Sequence, residues 1–191
     1  MLPTTSFATL LAATGAMGAA LLPRQEELAC VQPSANFEKW TITDFDFHWS
    51  KKYTNPAHGI IDGVVQFNLT NPAIGNPLQC KGHSTVWPNF FSGDQWIDCE
   101  GTIVSSARFA FDNTASTLKI NQAWLCDTSN YNHTGFGDAV LACTTSGIQQ
   151  NPNWVEGSTE LFSEEYFNCA LSTFDIQSNT PNAYPTGPIQ A

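Results

Sequence analysis

From Ser105 to Cys126 apolar and polar residues alternate in two runs of opposite parity. Ala107, Phe109 and Phe111 mark the first run; Leu118, Ile120, Gln122, Trp124 and Cys126 mark the second. A period of two is that of strands with one buried face. Asp112 to Ser116, between the runs, are short residues, mostly polar, of a kind that bond their own backbone in turns. The stretch predicts a β-hairpin whose buried face carries three aromatic rings and a cysteine, so the remaining chain must supply more sheet to cover it.

Similar patterning recurs on both sides. Trp40 and Ile42 share one parity, and Phe45, Phe47 and Trp49 the other, which predicts a strand with a β-bulge near Thr43-Asp44, because a one-residue slip turns every side chain over. Ile61, Gly63, Val65, Phe67 and Leu69 predict a second strand, closed by Asn71-Pro72 and Gly75-Asn76-Pro77, and a third runs from about Leu78 to Trp87. Pro88 to Asp94 reads as a loop with Phe90 and Phe91 at its tip, followed by a short strand from Gln95 to Cys99. The Asn-, Gly- and Ser-rich stretch Thr128 to Asp138 reads as an exposed loop. Ala139 to Thr145, Thr159 to Phe167 and Cys169 to Ile176 are the remaining strand candidates. With 191 residues and no midpoint linker, the chain predicts one all-β domain over 30–177, either a single antiparallel β-barrel or a strongly curled β-sandwich, followed by a Pro-rich disordered tail over 178–191.

Charge narrows the partners. Seven basic residues against 17 acidic ones leave a net charge of -10, which repels a phosphate backbone or an anionic membrane surface, so neither nucleic acid nor membrane is expected. The first twenty residues carry no charge and hold an apolar run from Phe7 to Ala13, then small residues through Ala20. That predicts a signal peptide over 1–20, with Pro23-Arg24 as a further trimming site to residue 24, and a secreted, extracellular product. All six cysteines lie beyond it, an even number without a C-x-x-C pair, and predict disulfides rather than metal or redox thiols. Strand neighbours suggest Cys80 with Cys99, across the Pro88 to Asp94 loop, and Cys126 with Cys143. Elimination then leaves Cys30 with Cys169, unless Cys30 bridges two chains.

The candidate chemistry is sparse. His48, His58, His83 and His133 show no paired metal-binding spacing, so no metal and no cofactor are expected. Gly82-His83-Ser84-Thr85-Val86 has valine where a nucleophile elbow requires its last glycine. Asp44 with Asp46 and Glu164 with Glu165 are carboxylate pairs, but glycoside hydrolysis needs acids flanking one sugar, and Asp44 and Asp46 fit better as the wet face of a strand. Trp40, Trp96 and Trp124 occupy strand positions and are expected in the core. Trp87, Trp154, Phe90 and Phe91 are the candidate binding residues, with plugging of the domain's ends as the alternative. Asn68 and Asn132 are the positions that satisfy the N-glycosylation pattern.

The order of these pieces resembles a known family: Cys30, the strand Trp40-Thr41-Ile42-Thr43-Asp44-Phe45, Tyr53, Gly63 to Asn68, Cys80, Trp96 with Cys99, Phe109-Ala110-Phe111 and Leu118 to Gln122. Over about Cys30 to Gln122 the chain resembles the Alternaria major-allergen-like family of small secreted fungal proteins. The resemblance implies a disulfide-bonded antiparallel β-barrel without enzymatic activity, acting as an allergen, elicitor of plant defence or virulence effector, in some members as a dimer. In the founding allergen the early cysteine joins two subunits, whereas Cys126 has no counterpart there, so a homodimer through Cys30 does not carry over directly. The expected function is an effector- or elicitor-like protein that binds a host apoplastic protein or small molecule. The alternative is a module that binds, or an enzyme that acts on, cell-wall polysaccharide.

Overall fold

The structure, a computed structural model, describes residues 23–180, with side chains from Ala29 onward; the predicted signal segment and residues 181–191 of the predicted tail lie outside the described residues. A helix, α1 (Pro23–Ala35), leads into eleven strands: β1 (Lys39–Asn55), β2 (His58–Thr70), β3 (Leu78–Ser84), β4 (Ile97–Asp98), β5 (Ser105–Asp112) and β6 (Thr117–Cys126), then β7 (Ser129–Asp138), β8 (Cys143–Thr145), β9 (Gln149–Gln150), β10 (Ser163–Cys169) and β11 (Ser172–Gln177). All pairings are antiparallel. One sheet runs β3-β2-β1-β10-β8, with β11 also on β1 and β9 on β10; the other runs β4-β5-β6-β7.

The long strand β1 organises the first sheet. Its register shifts between Ile42 and Phe45 against β11, and between Thr43 and Asp46 against β2. Asp44 sits there at φ 53°, a left-handed conformation that aspartate tolerates better than most residues. This is the predicted bulge. It brings Trp40, Ile42, Phe45 and Phe47 all into the core, where Phe45 and Phe47 meet Phe111 of the second sheet at 5.4 and 5.1 Å between ring centres. The predicted hairpin forms as β5 and β6, and the Asp112 carboxylate accepts hydrogen bonds from the amides of Thr114 and Ala115 in its turn.

The two sheets meet at both sides without closing into a barrel. Ser178 bridges Gly135 on one side; on the other, the Glu100 amide donates to the Gln79 carbonyl beside the Cys80–Cys99 disulfide. Neither contact is a continuous ladder. The domain is therefore all-β with one short helix and three disulfides, and the closed-barrel alternative is not what the sheets form.

Thr128 to Asp138, expected as an exposed loop, is mostly strand β7, paired with β6 along its whole length. Its polar composition hides an alternation in which Tyr131 and His133 are buried while Asn132 and Thr134 face out. Gly135 has a steric role: a Cβ there would stand 2.2 Å from the Gln177 carbonyl oxygen and 2.7 Å from the Trp40 ring. Ser178 to Thr180, expected as the start of a tail, hydrogen-bond to this strand.

This strand order corrects two disulfides. Because β7 lies beside β6, Cys143 cannot be Cys126's neighbour; β8 pairs with β10 instead, placing Cys143 directly opposite Cys169, and these two are bonded. Cys126, at the end of β6, bonds Cys30 of α1, with Cα atoms 6.0 Å apart. The segment around Cys30 is helical, and Ser34 in its last turn accepts a hydrogen bond from the Trp124 indole at 2.9 Å. Cys80–Cys99 is as expected. Trp96 is the exception among the expected core tryptophans: it is 39% exposed, with the Arg108 guanidinium 5.0 Å over its ring.

Candidate binding surface

Of the candidate binding residues, Phe90 and Phe91 are buried, 2% and 3% exposed. Phe90 lies on Gly63, where a Cβ would come within 2.6 Å of its ring, and the Phe91 amide donates to Asn113 Oδ1 at 2.9 Å. Both rings plug one end of the core rather than projecting from a loop tip. Burying two rings outweighs the polar character of the flanking residues.

Trp87 behaves differently. It is 42% exposed, next to exposed Val86, yet it is held on several sides. Its ring meets Trp49 at 5.1 Å and Phe90 at 5.7 Å, both edge to face, a favoured arrangement of aromatic quadrupoles. Lys51 Nζ lies 3.3 Å from the centre of the Trp87 ring, 5.1 Å from that of Trp49 and 3.0 Å from Glu165 Oε2. The ammonium group is thus shared by an indole face and a carboxylate, and with side chains 15% and 19% exposed the pair is screened less than a surface salt bridge. Trp49 in turn stacks on Phe167, at 5.4 Å and 3° between ring planes. No local pattern links Lys51 with Glu165, 114 residues apart in the chain; only the pairing of β1 with β10 brings them opposite one another.

Trp154 sits elsewhere, in the loop facing the β1–β2 turn. Its indole N–H donates to the Thr54 carbonyl at 3.1 Å, and its ring meets Phe162 edge to face at 5.4 Å. Asn68 lies on the outer face of the first sheet and donates to Asp44 Oδ2 at 2.9 Å; Asn132 lies on the outer face of the second and accepts from Asn121 at 3.0 Å. Asp44 and Asp46 are both on that first outer face, Asp46 accepting from Gln66 at 3.1 Å and contacting His48 Nδ1 at 3.2 Å. They form its polar surface, as expected.

Shifted ionisation is a matter of local pairing. The hydrogen bond to Asp175 raises the Lys39 pKa, the same bond lowers that of Asp175, and the hydrogen bond to Glu164 raises that of Tyr166. Burial alone lowers the pKa of His133, which lies stacked on Trp124 at 5.2 Å with its Nδ1 2.9 Å from Ser178 Oγ. Among the described residues no group of three or more His, Cys, Asp or Glu side chains is arranged to hold a metal ion.

The fold and the surface define a disulfide-stapled all-β protein with an aromatic and lysine cluster at one end. The family model of Alternaria alternata allergen 1 matches residues 42–169, and the chain belongs to that family. No curated protein and no solved structure matches the chain. Three disulfides and membership of an allergen family are compatible with an extracellular location.

Proposed function

We propose that this allergen-like protein is a secreted, non-enzymatic binding protein that recognises a host extracellular protein through the surface around Trp87. The observation that carries the reading is that Trp87 is 42% exposed while its ring is fixed by Lys51 and Trp49. A large amphipathic ring already ordered before contact loses little conformational freedom on binding, and tryptophan is enriched among residues that dominate interface energies. The predicted glycans point the same way, since Asn68 and Asn132 occupy the two outer sheet faces and leave the Trp87 end uncovered. The shifted groups owe their ionisation to local structure: Lys39, Asp175, Asp94 and Tyr166 to hydrogen bonds with neighbouring side chains, and His133 to burial among rings.

The test is affinity capture from host extracellular fluid on immobilised native protein, followed by titration of the purified partner. Trp87→Ala should weaken binding by about 30-fold or more, the scale of an interface hot spot, whereas Trp154→Ala should leave it unchanged. Capture of nothing, or a partner indifferent to Trp87→Ala, would refute the proposal. A small-molecule ligand is the second reading, favoured by a groove of about 370 Å³ beside Lys51 that Tyr53, Phe162 and Glu165 line.

A further inference from the structure

We infer that the cleft beside Trp154 is a second, separate binding site, for a neutral saccharide built of β-linked glucopyranose-type units. The cleft encloses about 620 Å³ between the β1–β2 turn and the loop that carries Trp154, within the range of small-ligand sites. The Trp154 indole N–H is consumed by the Thr54 carbonyl, and the ring is braced against Phe162. What the indole offers to the cleft is therefore apolar ring surface, fixed in place.

Opposite and around it the polar groups are sorted into donors and acceptors. Asn55 Oδ1 accepts from the backbone amides of Ala57 and His58, both at 2.9 Å, which identifies that atom as the oxygen. His58 Nδ1 lies 3.1 Å from the same oxygen, so in the neutral ring it is the nitrogen that carries the proton and Nε2 is the acceptor, while Asn55 Nδ2 is a donor. Ser158 Oγ already accepts from the Glu160 amide at 3.0 Å, so its hydroxyl proton is free to donate, and exposed Glu156 adds a carboxylate acceptor.

An apolar plane flanked by two donors and two acceptors complements a pyranose ring, which has a C–H face and hydroxyl groups at its edge that both donate and accept. Glu156 and the chain's net charge of -10 disfavour uronic acids. β-Linked units with equatorial substituents present the flattest C–H face. This site lies outside the Trp87 cluster, so it does not depend on the protein-binding proposal.

The experiment is titration of the ¹⁵N-labelled full secreted protein with laminaritetraose, cellotetraose or chitotetraose, and with tetragalacturonate as the acidic comparison. The Trp154 indole N–H resonance should shift saturably with at least one neutral oligomer and not with tetragalacturonate; the responding oligomer distinguishes a β-1,3-glucan, a β-1,4-glucan or chitin as the source. Followed at the backbone amide resonances of Ala57 and His58, which line the cleft and remain when the indole is removed, Trp154→Ala should weaken binding by about tenfold or more, and Glu156→Ala, at the exposed rim, should weaken it too. No shift with any neutral oligomer, a shift confined to Trp87, or a response unchanged in Glu156→Ala and Trp154→Ala would overturn the inference. Failure of protein capture by the Trp87 surface would leave this result untouched.

Discussion

Replacing Gln122 by leucine tests the polar network that runs through the core. Gln122 Oε1 accepts from the Trp40 indole at 2.6 Å and from Asn71 Nδ2 at 2.9 Å, while Gln122 Nε2 donates to Ser105 Oγ at 3.0 Å. Gln122, Trp40 and Asn71 are fully buried and Ser105 nearly so, so water cannot replace a lost partner. Leucine is close in size but offers neither acceptor nor donor. Two buried donors then stand unsatisfied, at about 1 to 3 kcal/mol each, while the Ser105 hydroxyl loses a donor it can do without. The leucine's apolar surface offsets about 1 to 2 kcal/mol. With each term at mid-range the expected net loss is about 2.5 kcal/mol, a substantial part of a typical stability of about 5 to 15 kcal/mol. Guanidinium unfolding of the oxidised protein, followed by tryptophan fluorescence, measures it. In a Trp40→Phe background one donor is already gone, so Gln122→Leu should cost about 1 to 2 kcal/mol less. A leucine variant within about 0.5 kcal/mol of the parent, or strict additivity with Trp40→Phe, would refute the account of the network.

Three further outcomes follow from the structure. Non-reducing peptide mapping should link Cys30 to Cys126 and Cys143 to Cys169, and a Cys126 to Cys143 peptide would contradict the strand order; removing either bridge as a paired alanine substitution should cost about 4 to 5 kcal/mol for the 96-residue separation and about 3 to 4 for the 26-residue one in the chain-entropy model. Because burial lowers the His133 pKa in the folded protein, the unfolded chain binds the extra proton first, so stability is complete above about pH 6.5 and falls as the pH drops below it; His133→Gln should flatten that slope between about pH 7 and 5, apart from the acid loss below about pH 4 to which the depressed Asp175 contributes. Endoglycosidase treatment of the secreted protein should increase its gel mobility, and Asn132→Gln should remove one step of that change, because Asn132 is exposed on the outer face of β7.

Local patterning was enough for the strands whose two faces differ in polarity. The alternation in Ser105 to Cys126 specified the β5–β6 hairpin, and the change of parity after Ile42 specified the bulge at Asp44, because both are properties of a single strand's pleat. Cys80 with Cys99 was legible because a short loop joins their strands. The remaining pairings depended on which strand lies beside which. β7 reads as a loop until Gly135 is seen to make room for Trp40 and the Gln177 carbonyl, and without β7 in place Cys143 takes the position beside Cys126. The candidate site divides along the same line. Trp87 and Trp154 were visible as aromatics in polar surroundings, but so were Phe90 and Phe91, and local composition does not say which ring finds a glycine to lie on. Lys51 and Glu165 carried no local signal, since an ion pair between β1 and β10 is created by register across 114 residues of chain. Burial and pairing between distant segments are set by the whole core at once, and only the tertiary structure decided them.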